Sequence, residues 1–189
     1  MYWYACRMHM KPLVRQLKDM SELVIRSLEK SDAPQVVPYM TSMYAESAFL
    51  VRYGDEWKIS IEDEATFLES AEKAEKRLLL GGFLGSNLVA LCDFSPVGSA
   101  YKIAHRCQIG ISVTKMHQGK GIGSSLMESL LSCAKQVGFS QMELEVVATN
   151  NAAIKLYEKF GFLSVGTIPR GFRYREGYHE DLLVMVKEL

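Results

Sequence analysis

The chain has 189 residues, 48% of them hydrophobic and 23% charged, which is enough for one domain with its own core and too little for two comfortable ones. Its 22 Lys and Arg balance its 22 Asp and Glu, so there is no electrostatic footprint for nucleic acid. No apolar run approaches the ~20 residues that a membrane span needs.

The first 20 residues, MYWYACRMHMKPLVRQLKDM, lack the continuous apolar run of a secretory signal. Met10, Leu13, Leu17 and Met20 have weak helical spacing, interrupted by Pro12. The segment reads as a leader or extension, with Met20 as another start, ahead of a single domain over 21–189; an extra N-terminal helix packed on that domain is the equal alternative. ELVIRSL (22–28) alternates as a first strand. Ser31 and Asp32 offer caps before Pro34 and open a helix with Val36, Val37, Met40, Met43 and Tyr44 on its apolar face. FLVRYGDEWKIS (49–60) reads as a loop, and Ser60 with Asp63 caps a second helix that buries Phe67, Leu68, Ala71 and Ala74.

RLLLGGFLGSNLVALCDF (77–94) reads as two strands about a turn at Gly85, Ser86 and Asn87. CQIGISV (107–113) is a fourth strand. GIGSSLMESLLSCAKQVG (121–138) is the strongest helix, with Ile122, Leu126, Leu130, Ala134 and Val137 near the helical period. QMELEVVATN (141–150) is a fifth strand, NAAIKLYEKFGF (151–162) a short helix, and 162–170 and 179–189 a final pair of strands. The order β-α-α-β-β-β-α-β-α-β-β is a mixed α/β chain, mostly antiparallel, with a parallel step at the strand-helix-strand unit. Cys6, Cys92, Cys107 and Cys133 form no C-x-x-C pair and read as buried reduced thiols. His9, His105, His117 and His179 are scattered, so no metal site is expected.

Three glycines (Gly119, Gly121, Gly123) crowd the entrance of the strongest helix, although glycine lowers helix stability. The first amides of a helix have no internal partner and its dipole is positive there, so bare backbone at that point suits a diphosphate. A Walker A loop needs G-K-[ST], but Lys120 precedes Gly121. A dinucleotide fingerprint needs G-x-G-x-x-G, and this spacing is one residue short. A ligand-free tight turn remains the plain alternative for such a loop taken alone.

Gln118-Gly119-Lys120-Gly121-Ile122-Gly123 fits Q/R-x-x-G-x-G/A, and residues 150–162 fit N-x-x-A-x-x-L-Y-x-x-x-G-F. Both motifs, at this separation, resemble the GCN5-related N-acetyltransferase (GNAT) superfamily over roughly residues 21 to 189. The resemblance implies an acyl-CoA N-acyltransferase fold whose fourth and fifth strands splay apart, and acetyl-CoA as cosubstrate. It implies that the pantetheine arm pairs with the main chain of Ile111, Ser112 and Val113. The pyrophosphate would sit on the amides of Gln118, Gly119, Lys120, Gly121, Ile122, Gly123 and Ser124. Asn150 would touch the pantetheine arm, though it also suits a helix cap.

Acetyl transfer needs a neutral amine, yet an alkylammonium has a pKa near ~10. It also needs donors for the oxyanion and a proton for the leaving thiolate. By resemblance, Tyr157 lies near the coenzyme sulfur as general acid, and an amide near Val113 meets the oxyanion. Glu145, in LEVVATN, resembles the base of bacterial ribosomal-protein N-terminal acetyltransferases; a solvent-edge strand glutamate is the plainer reading. His105 is a second candidate base. Gln108 stands where many relatives place glutamate, and an amide cannot act as a base.

Residues 46–72 carry eight acidic and two basic side chains, which would favour a cationic acceptor or be a solvated helix face. Phe172, Arg173, Tyr174, Arg175, Tyr178 and His179 would border the acceptor too, and their arginines suit an acidic one. The reading is therefore a cytoplasmic N-acetyltransferase acting on a primary amine of a small molecule or peptide. The alternative is a noncatalytic acyl-CoA-binding module, and the final strands are a candidate homodimer surface.

Overall fold

The computed structural model describes residues 9–189. Its strands are β1 (Leu13–Gln16), β2 (Glu22–Ser27), β3 (Leu78–Leu84), β4 (Asn87–Pro96), β5 (Arg106–Val113), β6 (Gln141–Val147), β7 (Leu163–Arg173) and β8 (His179–Glu188). Its α-helices are α1 (Ala33–Glu46), α2 (Ile61–Lys73), α3 (Ile122–Gln136) and α4 (Asn151–Lys159). The strands form one sheet in the order β1-β2-β3-β4-β5-β6-β8-β7. Every pair is antiparallel except β5 and β6. This is the mixed α/β sheet expected from the element order, and the predicted fourth and fifth strands are β5 and β6.

Alternation along the strands sends side chains to two cores. Leu80, Cys92, Phe94, Cys107 and Met142 face Leu126, Met127 and Leu130 of α3. Their neighbours Leu79 and Leu91 turn the other way, towards Val36 of α1 and Leu68 of α2. At the start of α2, the Ser60 hydroxyl accepts the Asp63 amide at 3.0 Å and donates to the Asp63 carboxylate at 2.8 Å. This is the cap that the sequence indicates.

Three local expectations change. Phe67 is 43% exposed, because the buried stripe of α2 runs through Glu64, Leu68 and Ala71. Phe67 lies one residue round the helix, with Arg77 5.9 Å from its ring. Asp32 gives α1 no side-chain cap. Its buried carboxylate instead accepts two 2.7 Å bonds from Arg26 and one from the Glu29 amide at 2.8 Å. Within the expected leader, residues 1–8 lie outside the described residues, while Leu13–Gln16 pair with β2 as an edge strand instead of a weak helix. Leu17 is buried against the larger core. Cys92, Cys107 and Cys133 are free and buried, and Cys6 lies outside the described residues.

One irregularity positions the site. β5 and β6 are in register only over Arg106–Gln141, Cys107–Met142 and Gln108–Glu143. β5 then follows β4 to Val113, while β6 follows β8 to Val147. The two strands part beyond Gln108.

Candidate active site

The antiparallel ladder determines which peptide groups of β5 face the parting. The Val97 amide donates to the Arg106 carbonyl and the Thr114 amide to the Val89 carbonyl, both at 3.0 Å. In an antiparallel strand the main-chain groups of alternate residues point to opposite sides. Gln108, Gly110 and Ser112 therefore turn their peptide groups to β4, and Ile109, Ile111 and Val113 turn theirs to the opening. The Gln118 side chain confirms the parity by donating to the Val113 carbonyl at 3.1 Å. Ser112 lies opposite Leu91 in the ladder, so its main chain faces away from the opening. Its hydroxyl is 2.8 Å from that of Tyr39 on α1.

The opening leads to the N-terminus of α3. Gly119 (φ +76°) and Gly121 (φ +95°) hold left-handed conformations that disfavour side chains, and a Cβ at either would meet open space. Gly123 serves packing, because a Cβ there would lie 3.2 Å from Leu156 on α4. The first helical bond runs from the Ser125 amide to the Gly121 carbonyl at 3.1 Å. Among the described residues, no acceptor meets the amides of Gly119 to Ser124. Lys159 reaches the Ser124 hydroxyl at 3.0 Å, and Lys120 lies 3.3 Å from Asp19. The arrangement is a bare, amide-lined, locally cationic socket that fits a phosphate group.

Helix α4 begins at Asn150, whose side-chain oxygen accepts the Ala153 amide at 3.2 Å. Tyr157 is 7% exposed, with its ring centre 5.8 Å from that of Phe162. Burial raises its phenol to about 12. Among the described residues its hydroxyl has no hydrogen-bond partner, yet only Trp57 Nε1 is both unpartnered and sealed from solvent. The Tyr157 hydroxyl thus holds its proton and has an open side. Leu156 against Gly123 and Lys159 on Ser124 fasten this helix to the socket.

The register places Gln108 of β5 and Glu143 and Glu145 of β6 on the sheet face that carries α1 and α2. Arg106 clasps Glu143 at the closed end and holds its carboxyl below the usual range. Glu145, beyond the parting, is exposed and makes no hydrogen bond or ion pair among the described residues. His105 is exposed at the closed end, where its carbonyl accepts the Ser140 amide at 3.0 Å. That puts it away from the opening. A residue that the sequence reading passed over is Asp93 of β4, opposite Gly110. Burial pushes its carboxyl up to about 6, against the pull of Arg77. Its only sequence signal is an acid inside the apolar strand LVALCDF.

The loop after α1 and the hairpin of β7 and β8 enclose a groove of roughly 340 Å³, with Leu50, Tyr53, Phe172, Tyr174 and Tyr178 in its lining. The Tyr174 hydroxyl donates to the Ala48 carbonyl at 3.1 Å, and Arg175 binds Asp55 through 2.9 and 2.8 Å contacts. Much of the acidity of 46–72 is engaged within the protein: Asp55 by Arg175, Glu56 by the Tyr53 amide, Glu69 by Lys30 and Lys73. Glu64 is buried on α2, where desolvation raises its carboxyl. Among the described residues, no group of His, Cys, Asp and Glu is arranged to hold a metal ion, and no helix is long and apolar enough to cross a membrane.

Comparison with known proteins matches residues 38–162 to the model of the acetyltransferase (GNAT) family. An acetyltransferase of that family from Streptococcus pneumoniae has a TM-score of 0.84 at 27% identity, covering 88% of this chain and 99% of its own. The Salmonella typhimurium acetyltransferase yncA, solved with acetyl-CoA, has a TM-score of 0.78 at 20% identity, over 88% and 94% of the two chains. The ribosomal protein bS18-alanine N-acetyltransferase of Escherichia coli is 37% identical over 75 residues, 40% of this chain and 50% of that protein.

Proposed function

The chain belongs to the acetyltransferase (GNAT) family, and from that premise we propose that it moves an acetyl group from acetyl-CoA directly to a primary amine of a small molecule or peptide. The observation that carries this reading is the parting of β5 and β6. It leaves the peptide groups of Ile109, Ile111 and Val113 without strand partners. They lead directly to the unpartnered amides of Gly119 to Ser124. An extended, amide-bearing arm ending in a diphosphate has the chemistry to fill both.

In this reading the pantetheine arm pairs with Ile111 and Val113, and the pyrophosphate lies over residues 118–124. The inward amide of Val113 or its neighbour Ile111 meets the carbonyl oxygen as negative charge develops on it. Tyr157 gives its proton to the departing sulfur. Burial keeps its phenol protonated at neutral pH, so the proton that the sulfur needs is held beside it. Asn150 caps α4 with its oxygen and offers its side-chain amide nitrogen to the arm. Glu145, on the β6 side of the opening, draws in the ammonium and is the carboxylate that the sequence nominates to take up its proton through water.

The amide at Gln108 favours the second reading, a module that binds acyl-CoA without turnover. Free-thiol release from acetyl-CoA across polyamines, aminoglycosides, amino acids and N-terminal peptides, beside CoA calorimetry, separates the two. Amine-dependent release supports the enzyme and identifies its acceptor class. CoA binding with no release from any amine leaves the module. No CoA binding overturns both.

A further inference from the structure

Asp93 is a half-buried carboxylate on the sheet face that carries α1 and α2. No hydrogen bond or ion pair engages it among the described residues. Directly across the ladder is Gly110, and a Cβ built there would lie 2.8 Å from Asp93 Oδ1. The missing side chain lets the carboxylate lie over the main chain of β5. Gly110 itself sits between Ile109 and Ile111, whose peptide groups face the opening. Gln108, which cannot accept a proton, occupies the next position of β5 on this face. An unpaired, enclosed carboxylate lowers stability, and such placements cluster at sites where proton transfer is needed.

We propose that Asp93 is the proton acceptor for the acceptor amine, reaching the opening across Gly110 while Glu145 holds the cation from the β6 side. The inference rests on the acetyl-transfer reading and moves its proton-accepting role from Glu145 to Asp93. The ammonium gives one proton to Asp93, directly or through one water, and Asp93 later releases it to solvent. The neutral nitrogen attacks the thioester carbon, and the carbon–sulfur bond breaks as the carbonyl re-forms. The nitrogen's surplus proton offsets the one that Tyr157 gives to sulfur. The products are an N-acetyl amide, a free thiol and one proton.

The titratable and charged groups around Asp93 come from several elements. Arg77, at the head of β3, favours the ionised form, and Cys92 lies beside it on β4. Tyr39 from α1 and Glu64 from α2 cover the same face, with the Arg106–Glu143 pair towards the closed end. Because its pKa is raised, Asp93 accepts a proton only above about pH 6. The rate should therefore climb through that value and level off above it.

The test compares the wild type, Asp93→Asn and Glu145→Gln by thiol release against pH, with the acceptor found by the amine panel. Asp93→Asn should lower kcat/KM by about 100-fold and remove the acidic limb near pH 6, with the CoA dissociation constant within about twofold. Glu145→Gln should raise KM and keep that limb. A limb kept in Asp93→Asn but lost in Glu145→Gln overturns the proposal and makes Glu145 the acceptor. An NMR titration of the Asp93 carboxyl, assigned by difference from Asp93→Asn, needs no amine. A midpoint near the ordinary ~3.9 overturns the proposal as well. Failure of the wild type to bind CoA would instead sink acetyl transfer and leave that titration intact.

Discussion

The two halves of β5 differ in how their peptide groups are used. In the closed half, Arg106 to Gln108 pair with β6, Cys107 is buried, and Arg106 grips Glu143. In the open half, Ile109 to Val113 keep only β4 as a neighbour. An unpaired buried peptide group costs on the order of 1–3 kcal/mol, so sheets normally pair both sides of an interior strand. Here an interior strand is left half-paired, beside a helix start whose glycines keep side chains off the amides. The difference teaches that the closed half is built for cohesion and the open half for a ligand that completes the ladder.

The largest test of that comparison strikes the open half. Gly121→Glu puts bulk, a carboxylate and a strained φ of +95° into the socket. CoA binding should fall more than about 100-fold by calorimetry, as expected when a charged hydrogen-bonding site meets like charge. Unchanged affinity would show that the socket is not where the coenzyme binds. A smaller effect is expected from Tyr157→Phe. The ring stays packed on Phe162, so CoA affinity should hold within about twofold while kcat drops by about 30-fold, a loss confined to the chemical step. A rise in KM with kcat intact would make Tyr157 a packing residue alone.

The smallest effect belongs to the closed half. Arg106→Ala should lower Tm by a few degrees and leave CoA affinity unchanged. The sign of its pH dependence follows from Glu143, whose carboxyl Arg106 holds below its ordinary range. The pair's stabilisation is fully present above the unfolded carboxylate pKa near ~4.3 and is lost as pH falls through the lower folded value. Thermal melts of wild type and variant should therefore converge in acid and separate at neutral pH. Equal separation at every pH would assign the role of Arg106 to packing.

What could be read without coordinates was local. The glycines at 119, 121 and 123, the Ser60 cap, the Asn150 cap and the period of α3 each describe a few consecutive residues, whose backbone preferences are written in their own chemistry. The two motifs together already implied the family fold and the socket. Phe67 and Asp32 depart from the local pattern for the opposite reason. Their neighbours, Arg77 and Arg26, lie on other elements, and a helical period alone does not say which side of a broad apolar face is covered.

By itself, then, the sequence determined the element order from β2 onward, the position of the bare helix start and the presence of Tyr157 on the helix that follows β6. Tertiary structure decided the rest. It chose which alternate peptide groups of β5 face the parting, which turned Ser112 to β4 and left Ile111 and Val113 without a strand partner on that side. It also set Asp93 over Gly110, 17 positions along the chain, and raised its carboxyl by enclosure. Strand register and burial arise between segments distant in sequence, and no run of neighbouring residues encodes them.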